Sequence, residues 1–301
     1  MATSHPQFIY RYINPKCGIY TLQDRTFGYS SPRVFTDPMD CHFDTYWQLR
    51  CPNQAEIIFK QILSIISEDK VDVSRFNNNT IRDLWLPAIA KYRSNSDITN
   101  IREIIDTLME DSNGVNSENW LKFLDGTRQR LRIMCCSRDA TSPAMWSHYA
   151  EAHTGVVLQI EVDKIGLPDN IIHGNIEYSE RLPEVISLPE QVDYLLYGQR
   201  IPDHKMQKAW LLNKGKEWEY EKEYRIAFSV PLGDPDHTRR RYETESINSV
   251  FLGYHCSTDT RDKVVEIARV WPSTISVFGA KLRRDSFRVK PDSELLFRKD
   301  V

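Results

Sequence analysis

The chain has 301 residues, 41% of them hydrophobic and 27% charged, with a formal net charge of −3. A core of ordinary size is therefore available, and the charge balance gives no global reason to expect nucleic acid or an anionic membrane as partner. No apolar run approaches the roughly 18–20 residues that span a bilayer, and the first residues lack the basic and apolar regions of a secretory leader. A cytoplasmic protein without a membrane partner is expected.

Six cysteines occur, Cys17, Cys41, Cys51, Cys135, Cys136 and Cys256. In a chain of this length without a leader they read as reduced thiols rather than a disulfide framework. The adjacent pairs Cys41-His42 and His255-Cys256 are poorly spaced for a chelate, so no metal is expected.

In chain order, Phe8 to Ile13 alternates large β-prone residues and reads as a strand, with Arg11 on the face of Ile9 and Ile13. A turn-rich stretch follows as far as Pro38, where Pro32 and Pro38 argue for an ordered loop. From about 52 to 130 the period becomes helical: Ile58, Ile62, Ile65 and Ile66 recur at three and four, as do Ile98, Ile101, Ile105 and Leu108. This segment reads as a helical insertion. Leu131 to Ser137 is a strand. Ser142 with Pro143 starts a short helix over 144–152, which Gly155 ends. Val156 to Val162 is a near-continuous apolar strand. Further strands are expected at Ile171–Tyr178, Glu223–Val230, Ile247–Leu252, Ile275–Leu282 and Phe287–Val289, with a helix from about Thr258 to Arg269. Mixed strands with clustered helices argue for an α+β domain spanning the whole chain. Dinucleotide and ATP folds of the glycine-loop type are disfavoured, because neither phosphate-binding motif occurs.

Three constellations carry candidate chemistry. Arg11, between Tyr10 and Tyr12, presents a planar fork suited to phosphate or ribose, or to a structural carboxylate. Trp146 and Tyr149 stand at i and i+3 on the short helix and can stack on a flat ring or pack the helix onto the sheet. On a strand, Glu221, Glu223 and Arg225 fall on one face. Two carboxylates at that spacing can divide acid–base labour, or be neutralised by Arg225 or Lys222. A basic run near the C-terminus, Lys281, Arg283, Arg284, Arg288 and Lys290, is either a solvated face or a nucleic-acid contact.

These residues fall in a recognisable order. Tyr10-Arg11-Tyr12, Ser31-Pro32 with Phe35-x-Asp37-Pro38, Met145-Trp146-Ser147-His148-Tyr149-Ala150 with Gly155, Trp218-x-Tyr220-Glu221-x-Glu223-Tyr224-Arg225 and Val250-Phe251-Leu252-Gly253 together resemble the bacterial family catalogued as domain of unknown function 2971. Thr36 departs from that family's usual Asn before Asp-Pro. The order is also similar, more distantly, to the ADP-ribosyltransferase superfamily. There an early strand holds the NAD ribose, a helix tyrosine stacks on nicotinamide, and a late strand carries the catalytic Glu. That resemblance implies a pair of mostly antiparallel sheets with the helical insertion, and NAD as a substrate with no metal. It implies transfer of ADP-ribose to a macromolecular acceptor, protein or nucleic acid, as toxins and phage-defence effectors do. It assigns catalysis to Glu223 with Glu221, and NAD contacts to Arg11, Tyr12, Tyr149, Trp146 and Ser137. Two other classes stay open on the same residues: a non-catalytic sensor or interaction module, and a nucleic-acid-binding or nuclease protein using the basic run.

Overall fold

The computed structural model describes residues 5–41, 53–113, 125–167, 171–200 and 203–300. The chain divides into two compact units. One comprises Met1–Asp40, Arg128–Glu180 and Leu211–Val301, and the other Cys41–Thr127 and Arg181–Trp210. The helical part is thus wider than the expected insertion over 52–130, because it also draws in a later segment. Its core joins α2 (Gln54–Ser67), α3 (Asn79–Asn95), α4 (Thr99–Asn113) and α7 (Leu188–Tyr197). Ile58, Ile62, Ile66, Ile101 and Ile105 are buried as their spacing predicts, whereas Ile98 is exposed. Helix α7 contributes Val192, Leu195 and Leu196 and lies between a Ser187/Glu190 capping box and the left-handed Gly198. A buried indole ties it in, as Trp85 Nε1 donates to the Leu195 carbonyl at 3.0 Å.

The first unit is built on one ten-stranded sheet, where two separate sheets were expected. Its main path runs β12 (Val289–Lys299), β11 (Ile275–Leu282), β10 (Ile247–Leu252), β4 (Val156–Glu161), β1 (Phe8–Ile13), β3 (Leu131–Ser137), β2 (Thr26–Ser30), β9 (His237–Arg241). Strand β8 (Glu223–Ser229) joins β3, and β5 (Ile172–Asn175) joins β8. All pairings in this sheet are antiparallel except β10 with β11, which are linked through helix α9 (Thr258–Arg269). A parallel pair needs such a crossover. A separate small sheet pairs β6 (Glu177–Ser179) with β7 (Asn213–Gly215).

The sheet forks at β3. One edge of β3 pairs with β8 from Leu131 to Ser137. The other edge is shared: β1 meets it at Ser137, through Tyr10, and β2 meets it at Ile133, through Ser30. Strands β1 and β2 therefore part from one another along a common neighbour, which opens a gap in the sheet. One face of β1 and β4, carrying Ile9, Leu158 and Ile160, joins a core with Leu22 of helix α1 (Pro15–Asp24) and Val264 of α9. The opposite face, carrying Tyr12 and Val157, joins a smaller core with Met145 and Trp146 of helix α6 (Pro143–Tyr149).

Some elements differ from the sequence expectation. Residues after Ile13 form helix α1 (Pro15–Asp24) rather than a turn-rich stretch, with Asn14 accepting from Cys17 N and Pro15 in the first turn. That Asn-Pro pair is a start signal that the short apolar pattern behind it obscured. Strand β12 runs well past Val289, and Phe287 lies outside it in the turn from β11. Its half-exposed pattern and Pro291 suit a sheet edge, where pairing rather than burial selects the strand. The five described cysteines are free thiols, and Cys51 lies outside the described residues.

Candidate active site

A cavity of about 290 Å³ lies at the fork. Strand β1 lines it with Tyr10, Arg11 and Tyr12, and β3 with Cys135 and Ser137. Tyr149 enters at the end of α6, and Glu221 and Glu223 border the start of β8. Arg11, Tyr149 and Glu223 thus meet in one cavity, although more than 70 positions separate each from the next in the chain.

Arg11 sits where β1 and β2 separate. Its Nη2 donates to the Gly28 carbonyl of β2 at 2.7 Å. Its Nε and Nη1 are buried and have no hydrogen-bond partner among the described residues. Two unpaired donors on a buried guanidinium are costly, and an anionic ligand would satisfy them. Tyr12 lines the cavity while its hydroxyl donates to the Asp139 carbonyl at 2.7 Å.

Helix α6 is short, and its two aromatics part company. Trp146 is fully buried, donates Nε1 to the Ala140 carbonyl at 2.9 Å and meets Tyr12 edge-on at 5.5 Å. It does not line the cavity, which corrects its placement among NAD-contacting residues: the indole fills the small core beneath the helix. Tyr149, 40% exposed, ends the helix at the cavity, and its hydroxyl donates to Glu221. Beyond it Glu151, Ala152 and His153 all adopt positive φ.

Glu221 is not on the strand. It closes a 3-10 helix, Lys216–Glu221, and Lys222 turns the chain through a left-handed conformation at φ 46°. Glu221 therefore does not share the strand face of Glu223 and Arg225. The carboxylate reaches the cavity because Ser137 Oγ, buried on β3, donates to the Glu221 carbonyl at 2.6 Å. Ser137 borders the cavity, but its hydroxyl is committed to this backbone contact and accepts from Asp139 N at 3.0 Å. Lys214 of β7 donates to the second Glu221 oxygen at 2.6 Å. Burial raises the Glu221 carboxyl above the usual range, against Lys214 and with help from the charge on Glu223.

Glu223 behaves oppositely. Arg225 holds it in a two-pronged pair, Nε to Oε1 at 2.8 Å and Nη2 to Oε2 at 2.9 Å, and Lys214 lies 3.5 Å away. Burial alone would raise this carboxyl, but Arg225 and Lys214 outweigh it and bring it down to about 2. Arg225 is itself fully buried and also grips Asp40, at 2.8 and 2.6 Å. The neutralising partner foreseen for Glu223 is thus Arg225 and not Lys222, which pairs with Asp139 at 2.9 Å. Strand β8 lies between β3 and β5, so this pairing is internal and not a solvated edge.

Several site residues were not singled out from the sequence. Asp40 follows the Asp37-Pro38 motif closely, which was a usable signal. Lys214 carried none, since its pairing with Glu221, Glu223 and Asp40 follows no regular spacing; it lies 4.6 Å from the ring centre of Trp218, another cavity wall. Cys135 opens onto the cavity, yet the surrounding protein, with Glu223 beside it, pushes its thiol well above the ordinary value.

Residues 145–226, which carry Tyr149, Lys214, Glu221 and Glu223, match the family model described as "Protein of unknown function (DUF2971)". Arg11 lies outside the matched segment. No curated protein and no solved structure matches the chain.

Proposed function

We propose that the protein is an NAD-consuming, ADP-ribosyltransferase-like enzyme that passes ADP-ribose to a macromolecular acceptor. The observation that carries this reading is the meeting of Arg11, Tyr149, Glu221 and Glu223 around a single cavity. Arg11 offers unpaired donors to the diphosphate arm. The exposed ring of Tyr149 offers a platform for nicotinamide. The nicotinamide–ribose bond breaks with its electron pair leaving on the ring nitrogen, which leaves an oxocarbenium-like ribose. Glu223, kept anionic by Arg225 and Lys214, supplies a fixed negative charge beside that centre. The acceptor's nucleophile then bonds to the ribose carbon, and its proton goes to Glu221. Of the two carboxylates, Glu221 is the one with raised proton affinity. No metal takes part in this scheme.

Nicotinamide release from NAD, followed chromatographically with and without cell extract as acceptor source, tests the reading. Glu221→Gln is expected to lower turnover about 100-fold or more while the chain stays folded. Absence of both NAD binding by calorimetry and nicotinamide release sinks it.

One observation favours a second reading, a non-catalytic binding module on the same fold. Both Glu223 oxygens already accept from Arg225 and have Lys214 nearby, so the carboxylate is internally satisfied. NAD binding without any nicotinamide release selects this alternative.

A further inference from the structure

The turn between β11 and β12 carries a second feature that the cavity does not use. Every residue from Lys281 to Arg288 is exposed, and Phe287 is 100% exposed. Leu282, at its base, is 52% exposed. A wholly solvated phenylalanine forgoes the burial that normally recruits it. The turn is nonetheless ordered: Arg283 N donates to the Arg288 carbonyl at 3.0 Å, and Arg288 N to the Ser286 carbonyl at 2.9 Å.

Around this ring stand Lys281, Arg283, Arg284, Arg288 and Lys290, against the single acid Asp285 within the same stretch, in a chain whose net charge is −3. Three of the five cations have acidic partners: Lys281 with the exposed Glu294 at 2.9 Å, Arg283 with the exposed Asp285 at 2.7 Å and Arg288 with the largely buried Asp139 at 3.2 Å. The first two pairs are exposed, and such pairs are weak and exchange readily for a stronger anion. Arg284 and Lys290 have no ion-pair partner among the described residues.

The turn stands beside the cavity. Val289 N donates to the Thr141 carbonyl at 3.0 Å, and Arg288 reaches Asp139, whose carbonyl accepts from the cavity residue Tyr12. Val289 and Ala280 share the small core with Tyr12, Met145 and Trp146. The basic, aromatic tip is therefore anchored to the wall of the candidate active site.

We infer that this tip is a docking surface for single-stranded nucleic acid, with a base stacked on Phe287 and phosphates held by Arg284 and Lys290. A flat exposed ring flanked by guanidinium groups is how strands are held without reading their sequence. Membrane attachment fits less well, because the apolar surface of the tip amounts to little beyond Phe287 and Leu282, and Asp285 lies between the arginines. That the docked strand is also the ADP-ribose acceptor rests on the reading of the cavity above; the docking itself does not.

The test uses the full chain without NAD. Fluorescence anisotropy follows a labelled oligothymidine of about 12 nucleotides, its duplex, heparin, and vesicles containing phosphatidylserine. The single strand is expected to bind more tightly than the duplex. Phe287→Ala is expected to weaken it about 5- to 100-fold and to leave heparin binding unchanged, since heparin has no bases. Arg284→Glu is expected to weaken both polyanions and flatten the salt dependence. Both side chains are exposed, so neither change threatens the fold. Failure to bind the oligonucleotide at low salt overturns the inference. So does equal binding by Phe287→Ala and the parent, or Phe287-dependent capture by vesicles in place of the oligonucleotide. Loss of NAD binding in the earlier test leaves this result untouched.

Discussion

Two carboxylates of one type, two residues apart, have been given opposite characters by their neighbours. Glu223 shares the Arg225 guanidinium with Asp40, and the pair is fully buried. Arg225 keeps Asp40 and Lys214 keeps Glu221 when Glu223 is neutralised, so Glu223→Gln should cost about 1.5–3 kcal/mol in a urea melt, the worth of the charge-assisted hydrogen bonds it loses. An activity loss in that variant alone would not separate chemistry from unfolding, which is why Glu221 carries the kinetic test. The pH dependence has a definite sign. The folded Glu223 carboxyl lies below its unfolded value, so its contribution is present above the usual carboxylate range and is lost as pH falls toward about 2. Urea midpoints between pH 5 and 2, compared for the parent and Glu223→Gln, should converge as pH falls; parallel lines would contradict the pairing. Tyr149→Phe removes only the hydroxyl bonded to Glu221. It should cost about 1–2 kcal/mol or less in stability and keep the stacking ring, whereas Tyr149→Ala should also weaken NAD binding, as read by calorimetry.

At the scale of elements, the segment between α6 and β4 aims Tyr149 at the cavity. Three successive residues, Glu151, Ala152 and His153, take φ of 47°, 50° and 67°. Side chains with a Cβ resist this region, so the loop is held by its surroundings. Gly155 N donates to the Ala150 carbonyl, and Gly253 N to the Gly155 carbonyl. A Cβ on Gly253 would fall onto the His153 carbonyl, which is backbone and cannot swing away. Gly253→Ala should therefore destabilise by on the order of 1–3 kcal/mol and disturb the end of α6. Ala152→Gly should do the reverse and stabilise by up to about 1 kcal/mol, because glycine accepts the left-handed backbone freely. Thermal melts of the two variants should move in opposite directions; shifts of the same sign would show that backbone conformation does not control this loop.

For the whole molecule, the two units have separate hydrophobic cores. The sheet's main core centres on residues such as Ile9, Leu158 and Val250, and the helical core on Ile58, Trp85 and Leu195. Separate cores predict separable unfolding. Trp85→Ala should remove about 3–5 kcal/mol from the helical unit and lower one calorimetric transition while leaving the other in place. A single transition that moves as one would show that the units unfold together. Among the described residues, no helix is long and apolar enough to cross a membrane.

Much of this molecule was written in local pattern. The helix Thr258–Arg269, the strand Leu131–Ser137 and the isoleucine spacing of α2 each follow from a period that one face of one element must satisfy. Arg11, Tyr149 and Glu223 became candidates because their types suit binding and acid–base work and their order resembles that of the ADP-ribosyltransferase superfamily. Local pattern did not determine what each candidate touches. Trp146 and Tyr149 share a helical spacing, yet one is sealed in the core and the other stands at the cavity, since the helix ends between core and solvent. Glu221 reaches the cavity through a left-handed turn and a serine on another strand. Its proton affinity, and the opposite one of Glu223, depend on burial and on Lys214, which another strand brings in, while Arg225 pairs with Glu223 from two residues along the same strand. Periodicity records the demands of a single element, whereas electrostatics and cavities arise between elements. The sequence by itself determined the α+β class, elements such as α2, β3 and α9, and the candidates Arg11, Tyr149 and Glu223. Only the tertiary structure decided that β1 and β2 part along β3, and so where those residues meet.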